Sequence, residues 1–360
     1  MNITNAFAPS YASARSQFLA AASRAGARIE SHAHPLRGRD GEDLAMDLAL
    51  VGSSDAQHLL IVSSACHGAE GYCGSGVQVH ALHDGPWLEH ARDNGVAVLY
   101  IHALNPFGFS HIRRVTHENV DINRNFQDFS GPLPLNEAYR EVHKLVLPEQ
   151  WPPSVANEAA LAAATPKLQA VVTKGQHEFP CGLFFGGKEP TWSNLTLRQV
   201  LRDYGTRAQR IAWIDLHTGL GPSGVGERIC ACADDPVALQ RARSWWDSGG
   251  ATKVTSIYDG SSTSALLTGL MWNAIYQECP QAEYTGIALE YGTVPMERLL
   301  LALRAEQWLQ LHPQTDATLA RQIKQEFLAV FYTDTDAWKR QIIDQARAAL
   351  FQAVQGLAGR

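Results

Sequence analysis

A histidine and a glutamate stand three residues apart directly after a strongly apolar run. Residues 58–66 (HLLIVSSAC) predict a buried strand, and His67-Gly68-Ala69-Glu70 follows it. A turn at the end of a strand can aim both side chains at one point, and a histidine with a carboxylate is a typical pair of ligands for catalytic zinc. The alternative is a hydrogen-bonded histidine that caps the strand.

A third ligand is expected because catalytic zinc sites use three protein ligands and keep a further position for water. The best candidate is His217, which directly follows the apolar run IAWIDL. Asp215 lies two residues earlier, so on a strand it shares a side with His217 and can orient it. A histidine satisfied within the core is the alternative for His217.

Several cationic and amide side chains follow within about a dozen residues of each other, in RRV and then DINRNF. Arg113 and Arg114 come first, and Asp121, Asn123 and Arg124 follow. Guanidinium groups bind carboxylates through two hydrogen bonds, so this segment is suited to holding a substrate carboxylate. Solvated surface charge is the alternative.

One carboxylate, Glu290, interrupts an apolar strand in IALEYGT. A buried carboxylate needs a partner or a purpose, and partial burial raises its pKa toward neutrality. Such a glutamate can take a proton from metal-bound water and pass it to a leaving amine. Alternatively, Glu290 points outward from an edge strand.

The elements that must position these residues alternate between strands and helices, which predicts an α/β fold with a largely parallel sheet. Ligands commonly sit at the carboxyl ends of strands in such sheets. Besides residues 58–66, the predicted strands are 44–51, 96–103, 210–216 and 284–291. The predicted helices are 10–25, 75–83, 265–276, 295–311, 314–331 and 338–357.

Composition excludes some classes of function. The 360 residues are 45% hydrophobic and 18% charged, with a formal net charge of −6, which predicts a compact soluble protein. No run of Lys and Arg is available for nucleic acid, and no apolar stretch is long enough to span a membrane. Without a basic leader, the chain is expected to be cytoplasmic and its six cysteines to be free thiols. The oligomeric state is left open.

Taken in order, these motifs resemble the zinc carboxypeptidase superfamily, including its aspartoacylase and succinylglutamate desuccinylase relatives. The order is H-x-x-E, N-P-x-G, R…D-x-N-R-N-F, D-L-H-T and a strand with a glutamate. The chain looks closest to a bacterial branch described as a domain of unknown function, in HGAEG, RRVTHENVDINRNF, GLFFGG and LEYGT.

The resemblance implies a three-layer α/β/α zinc-exopeptidase fold with a mixed central sheet, formed by residues 1–360 as a single domain. Its motifs lie in residues 67–290. Residues 127–209 would be an insertion that shapes the pocket, and residues 295–360 would be C-terminal helices.

The resemblance also implies roles for individual residues. His67, Glu70 and His217 would bind Zn²⁺, and Glu290 would be the general acid and base. The substrate carboxylate would be held by Asn123 and Arg124.

The same resemblance assigns Arg114 to the scissile carbonyl and its developing charge, and Asp121 to a hydrogen bond with the first zinc histidine. Adjacent side chains on a strand point in opposite directions, so Arg113 and Arg114 cannot both face the metal there. Arg114 is favoured, and Arg113 stays a candidate substrate contact.

Tyr258 follows Ser256-Ile257 and precedes Asp-Gly-Ser-Ser, as in the loop that carries the substrate-binding tyrosine of carboxypeptidases. The predicted helix over residues 265–276 lengthens the separation from Glu290. A packed loop tyrosine is therefore the alternative.

The function that the sequence favours is zinc-dependent hydrolysis of an amide bond adjacent to a free carboxylate, on a small peptide or another small-molecule substrate. An N-acyl amino acid deacylase is the nearest rival. A catalytically silent metal- or ligand-binding scaffold is a further one. A purely structural metal is disfavoured, because structural zinc sites are usually rich in cysteine.

Overall fold

The structure is a computed structural model that describes residues 2–164, 167–247 and 253–359. Its strands are β1 (Arg28–Arg37), β2 (Asp43–Val51), β3 (His58–Ser63), β4 (Val96–His102), β5 (Arg210–Gly219), β6 (Gly226–Cys230), β7 (Val254–Thr255) and β8 (Glu283–Gly292). Its helices are α1 (Tyr11–Arg24), α2 (Gly71–His83), α3 (Gly85–Asp93), α4 (Pro106–Ser110), α5 (Glu137–Val146), α6 (Val155–Ala164), α7 (Leu168–Thr173), α8 (Trp192–Gly205), α9 (Pro236–Trp246), α10 (Ala274–Glu278), α11 (Met296–Leu311), α12 (Ala317–Phe331) and α13 (Asp336–Leu357).

Within these ranges the strands form one mixed sheet in the order β1-β2-β4-β3-β5-β8-β6-β7. Its centre is parallel, because β3 pairs with β4 and β5, and β5 pairs with β8, in parallel. The edges contain antiparallel pairs, β1 with β2, β2 with β4 and β6 with β8. The carboxyl ends of β3, β5 and β8 therefore meet at one edge of the sheet, where ligand sites commonly form.

Helices cover both faces of the sheet. Gly74 of α2 lies against Leu216 of β5, whereas Gly205 of α8 lies against Ile211 of the same strand. Side chains alternate along a strand, so Leu216 and Ile211 face opposite sides. The core between these layers includes the buried Trp213. The layers hold the central strands, and hence their carboxyl ends, in place.

Most predicted elements are present, with ends that differ by a few residues. Three of the described strands were not predicted. β1 is mostly exposed, and its side chains carry little hydrophobic signal. β6 is only five residues long, and β7 only two. The C-terminal helices lie where the sequence predicts them, and the stretch 127–209 contains α5 to α8.

The predicted helix over residues 265–276 is wrong in its first half, where helical structure begins only at Met271. The backbone there bonds to another segment instead of to itself. The Phe126 amide donates to the Gly269 carbonyl (3.1 Å), and the Met271 amide donates to Asn123 Oδ1 (2.9 Å). Gly269 has φ +71°, and a Cβ there would lie 2.3 Å from the Arg124 carbonyl oxygen, so only glycine allows this crossing.

Among the described helices, none is both long enough and apolar enough to cross a membrane.

Candidate active site

Three adjacent parallel strands deliver the candidate residues to one edge of the sheet. His67 follows β3 after a short connection, His217 lies near the end of β5, and Glu290 lies near the end of β8. His217 and Glu290 are register partners across β5 and β8. Their side chains therefore stand side by side on one face of the sheet.

His67, Glu70 and His217 form a buried cluster, called the histidine cluster below. One ligand atom from each residue lies within 4.8 Å of the other two. The Glu70 carboxylate stands between the rings, with Oε1 2.8 Å from His67 Nδ1 and Oε2 3.0 Å from His217 Nδ1. The two side chains of the H-x-x-E motif and that of the distant His217 thus converge on one point.

The other nitrogen of each ring faces a second carboxylate. His217 Nε2 lies 2.5 Å from Asp215 Oδ2, and His67 Nε2 lies 3.3 Å from Asp121 Oδ1. Asp215 is itself bonded to Ser63 Oγ on β3 (2.5 Å). A carboxylate behind a histidine fixes the ring and the nitrogen that faces forward, as is usual for metal ligands.

A close backbone contact positions the H-x-x-E turn. Gly68 and Ala69 donate their amides to the carbonyls of Arg114 (3.1 Å) and Arg113 (2.9 Å). A Cβ at Gly68 would lie 2.0 Å from the carbonyl carbon of Gly108. A larger residue would clash with the backbone of α4, which is why a glycine stands between the histidine and the glutamate.

The donor chemistry of the histidine cluster fits a divalent metal of the catalytic zinc type. Two imidazoles and one carboxylate are a known catalytic set, and both Nδ1 atoms face inward. Among the described residues, four buried carboxylates and two guanidinium groups surround this point: Glu70, Asp121, Asp215, Glu290, Arg114 and Arg124. With neutral histidines, the carboxylates still outnumber the guanidinium groups when Glu290 is protonated, and this excess of negative charge favours a bound cation.

Glu290 is buried beside this cluster, and the Leu220 amide donates to its Oε1 (2.9 Å). Burial raises the pKa of Glu290 to about 8, and the neighbouring Glu70 carboxylate adds to the rise, whereas His217 opposes it. In this environment Glu290 can hold or release a proton near neutral pH.

The ligand candidates show the opposite electrostatic effect. Burial raises the pKa of Glu70, but His67 and His217 outweigh it and hold the pKa below its ordinary value. Burial lowers the pKa of His217, but Asp215 and Glu70 outweigh it and raise the pKa well above the ordinary value. Glu70 is thus ionised while the adjacent Glu290 is the carboxyl group that keeps its proton.

Arg114 reaches the histidine cluster. Its Nε donates to Asp121 Oδ2 (2.9 Å), its Nη1 to Glu70 Oε1 (3.4 Å), and its Nη2 lies 2.7 Å from His67 Nε2. The guanidinium also stands over the Phe184 ring, 4.7 Å from its centroid. These contacts hold the positively charged guanidinium group of Arg114 at the wall of the cavity.

Asn123 and Arg124 lie on the same cavity. Asn123 Oδ1 accepts from the Met271 amide, which leaves its Nδ2 donor for a ligand. Arg124 donates from Nε and Nη2 to the Thr173 carbonyl and from Nη1 to the Asn123 carbonyl. Within the described residues, one N–H on each Nη atom remains without an acceptor.

The structure does not bring Arg113 to the cavity, so its candidacy as a substrate contact is corrected. Its Nε donates to Glu306 Oε1 of α11 (3.2 Å), and its Nη2 contacts Asn119 and Gln307. The two residues lie in a loop, and their side chains point to different partners: Arg114 to the histidine cluster and Arg113 to α11.

Tyr258 is also not on the cavity, and about 36% of it is exposed. Its neighbour Ile257 lines the cavity instead. The loop that carries Tyr258 is closed at its base, where the Ser262 amide donates to the Ser256 carbonyl (3.2 Å). In this structure Tyr258 does not line the cavity, and its role as a substrate contact stays a prediction.

The cavity measures about 750 Å³, including the space at its open mouth. Its lining includes residues that the sequence did not identify: Gln169, Thr173, Phe184, Leu220, Ile229, Met296, Leu299, Leu303 and Phe331. Phe184 belongs to the GLFFGG motif, which is a usable signal. Met296, Leu299 and Leu303 recur along one side of α11 and look like ordinary core positions of a helix.

Comparison with protein families decides where the chain belongs. Residues 7–345 match the family described as "Protein of unknown function (DUF2817)". The chain belongs to this family. This confirms the predicted branch, and the matched range contains every candidate residue of the site. No curated protein matches the DUF2817 chain significantly.

Several solved structures are similar to this chain. The structure of thrombin activatable fibrinolysis inhibitor is similar with a TM-score of 0.52 and 12% identity, over 98% of this chain and 74% of that one. The bovine form in complex with tick carboxypeptidase inhibitor has a TM-score of 0.48 and 11% identity, over 98% of both chains. A metallo-carboxypeptidase from Pseudomonas aeruginosa, in complex with (2-guanidinoethylmercapto)succinic acid, has a TM-score of 0.41 and 14% identity, over 88% and 67%. The first likeness confirms the predicted α/β/α carboxypeptidase-like fold.

Proposed function

We propose that this protein is a zinc-dependent hydrolase that cleaves an amide bond adjacent to a free carboxylate. The observation that carries the proposal is the convergence of His67, Glu70 and His217 beside Glu290. A structural metal or a silent scaffold would have no need for a buried carboxyl group with a pKa near neutrality. Acid–base chemistry at the same point gives Glu290 a purpose.

His67, Glu70 and His217 would hold the metal, with Asp121 and Asp215 keeping the two rings in place. A zinc ion there supplies Lewis acidity to the scissile carbonyl and acidifies a water molecule. In its ionised form, Glu290 accepts the proton of the attacking water, and it then delivers this proton to the leaving nitrogen. The Leu220 amide fixes Oε1 of Glu290, so the carboxyl group stays directed at the same place through both transfers.

Arg114 and the pair Asn123 and Arg124 orient the substrate. The Arg114 guanidinium donates to the carbonyl oxygen as negative charge develops there. Asn123 Nδ2 and the free N–H groups of Arg124 bind the substrate carboxylate. Arg124 is anchored to two backbone carbonyls, so little side-chain freedom is lost when the carboxylate binds.

A second candidate, N-acyl amino acid deacylase, uses the same residues on a smaller acyl group. The position of α7 favours this candidate. The helix contributes Gln169 and Thr173 to the cavity. Gln169 Nε2 also donates to the Thr263 carbonyl (3.4 Å), in the loop that follows β7. This contact narrows the space beside the carboxylate-binding pair.

The experiment that tests the proposal combines metal analysis with an assay for released amine. The purified protein is given dipeptides and N-acyl amino acids, with and without a chelator. About one zinc per chain and chelator-sensitive release are expected. The preferred substrate distinguishes peptidase from deacylase. Absence of both zinc and release would contradict the proposal and favour a silent scaffold.

A further inference from the structure

The catalytic cavity continues past Glu290 into a part with apolar walls. Ala288 lies two residues before Glu290 on β8, so both side chains face the same way. Ile229 on β6 is the register partner of Ala288. We call the part of the cavity next to these residues the apolar compartment; its lining is Ile229, Ile257, Ala265, Leu267, Trp272 and Ala288, with the hydroxyl-bearing Ser264 beside Ala265. The alanine of β8 leaves room where a larger side chain would fill the space.

The compartment lies next to the proposed carboxylate-binding pair. The segment that supplies Ala265, Leu267 and Trp272 is tied to that pair, because the Met271 amide donates to Asn123 Oδ1 (2.9 Å). Gly269 of the same segment accepts from the Phe126 amide (3.1 Å). A carboxylate bound at Asn123 thus places the atoms attached to its α-carbon between this segment and the sheet.

Charged side chains near the compartment are engaged elsewhere. Arg228 alternates with Ile229 on β6 and donates to the Trp246 carbonyl. Glu227 is on the same face as Ile229, but it does not line the cavity, and its carboxylate accepts from Thr255 Oγ1 (2.5 Å) and the Thr263 amide (3.1 Å). Within the described part of the chain, no charged group lines the compartment.

We propose that the apolar compartment binds the side chain of the substrate residue that carries the free carboxylate, and that this side chain is apolar, of leucine to phenylalanine size. The inference rests on the proposed function and applies equally to a peptide and to an N-acyl amino acid. Burial of a large apolar side chain is favourable, whereas a buried charge without a partner is costly. Discrimination of roughly tenfold or more is expected.

The test measures binding without turnover. The zinc-loaded full chain is titrated in a calorimeter with three carboxylic acids that contain no amide bond: 3-phenylpropanoate, 5-guanidinopentanoate and glutarate. The phenyl compound is expected to bind at least about tenfold more tightly than the other two. Equal or tighter binding of 5-guanidinopentanoate, lost in Glu227→Gln, would overturn the inference and assign Glu227 to a basic side chain.

Two variants locate the binding. Ala288→Leu fills the compartment and is expected to weaken 3-phenylpropanoate binding by about tenfold, whereas Ala163→Leu on the exposed side of α6 leaves it unchanged. Ala265→Asp adds a carboxylate to the compartment from the loop before α10, so it tests the same compartment without altering a strand of the sheet. It is expected to shift the preference toward 5-guanidinopentanoate. Unchanged binding in both variants would overturn the inference.

The amine-release assay on the same samples separates this inference from the proposed reaction. Selective binding without hydrolysis would support the compartment and contradict the hydrolase. Hydrolysis with equal binding of the three acids would support the hydrolase and contradict the compartment.

Discussion

The adjacent residues Arg113 and Arg114 belong to two different ionic clusters. The two clusters differ in the ratio of carboxylates to cations. Around Arg114, carboxylates outnumber guanidinium groups, and two histidines converge on the Glu70 carboxylate. Around Arg113, the single carboxylate of Glu306 accepts from Arg113 Nε (3.2 Å) and Lys324 Nζ (2.7 Å). Lys324 also donates to the His111 and Ile112 carbonyls (3.0 Å each).

The difference shows which property marks a candidate site. Both clusters are buried and both contain arginine, so burial of charge does not distinguish them. The Glu306 carboxylate accepts hydrogen bonds from Arg113 and Lys324. These two cations outweigh the effect of burial and hold the pKa of Glu306 below its ordinary value. Glu290 has its pKa raised and faces an open cavity. A carboxyl group with a raised pKa beside an open cavity is typical of a reactive site, whereas a carboxylate that is held ionised by two cations is typical of a structural cluster.

The largest expected effect is the loss of metal in His217→Ala. Removing one of three ligands should reduce zinc from about one per chain to nearly none and abolish activity. Elemental analysis after dialysis measures it. The control is His177→Ala, since His177 is a buried histidine outside the cluster that contacts the Gly187 carbonyl. A full zinc content in His217→Ala would contradict the proposed metal site.

Glu290→Gln should lower kcat by roughly 10²–10⁴ and leave the zinc content unchanged, because the amide cannot carry the proton. Steady-state kinetics and metal analysis on the same preparation measure both. Glu283→Gln, at the exposed start of the same strand, serves as the matched control. Loss of zinc from Glu290→Gln would contradict its assignment as an acid–base group.

The two arginines give the most direct test of the comparison. Arg114→Gln should lower kcat/KM by roughly 10²–10³, since a donor to the developing charge is lost. Arg113→Gln should leave the kcat/KM of the folded enzyme within about threefold, because its contacts lie on the α11 side. Equal losses in the two variants would mean that the clusters do not have separate roles.

Glu306→Gln should mainly affect stability. It leaves Arg113 and Lys324 without their carboxylate, which should reduce the free energy of unfolding by about 3 kcal/mol. Denaturant unfolding measures it, and the exposed pair of Arg298 and Glu326 supplies the control Glu326→Gln, for which a change below about 1 kcal/mol is expected. A normal unfolding free energy in Glu306→Gln would contradict a structural role for this cluster.

A final expected effect, gradual rather than abrupt, is the pH dependence of stability in the metal-free protein. Folding raises the pKa of Glu290 from 4.5 to about 8, so the folded state binds this proton more tightly than the unfolded state does. Its contribution to stability is complete below pH 4.5 and is lost as the pH rises to 8, by at most about 1.4 kcal/mol per pH unit. Unfolding at several pH values should show this slope in wild type and its reduction in Glu290→Gln. The lowered pKa of Glu306 has its effect below pH 4.5 instead. An identical slope in Glu290→Gln would contradict the raised pKa.

Much of the fold and of the candidate site was accessible from the sequence. Residues His67, Glu70, His217 and Glu290 each follow or interrupt an apolar run. The preference for Arg114 over Arg113 agrees with their contacts, although both residues lie in a loop and not on the strand that the argument assumed. The roles of these residues stay predictions. The first half of the predicted helix over residues 265–276 was wrong, because the local helical pattern could not reveal that Asn123 and Phe126 bond to that segment's backbone.

The linear sequence determined the chemistry that is available, since residue types and strand periodicity depend only on local order. It also indicated which strand ends carry that chemistry. Tertiary structure alone decided which side chains enclose the cavity, because α7, α11 and the segment before α10 come from distant parts of the chain. It also decided that Glu290 keeps a proton while Glu70 does not, since a pKa depends on burial and on charges brought close by folding.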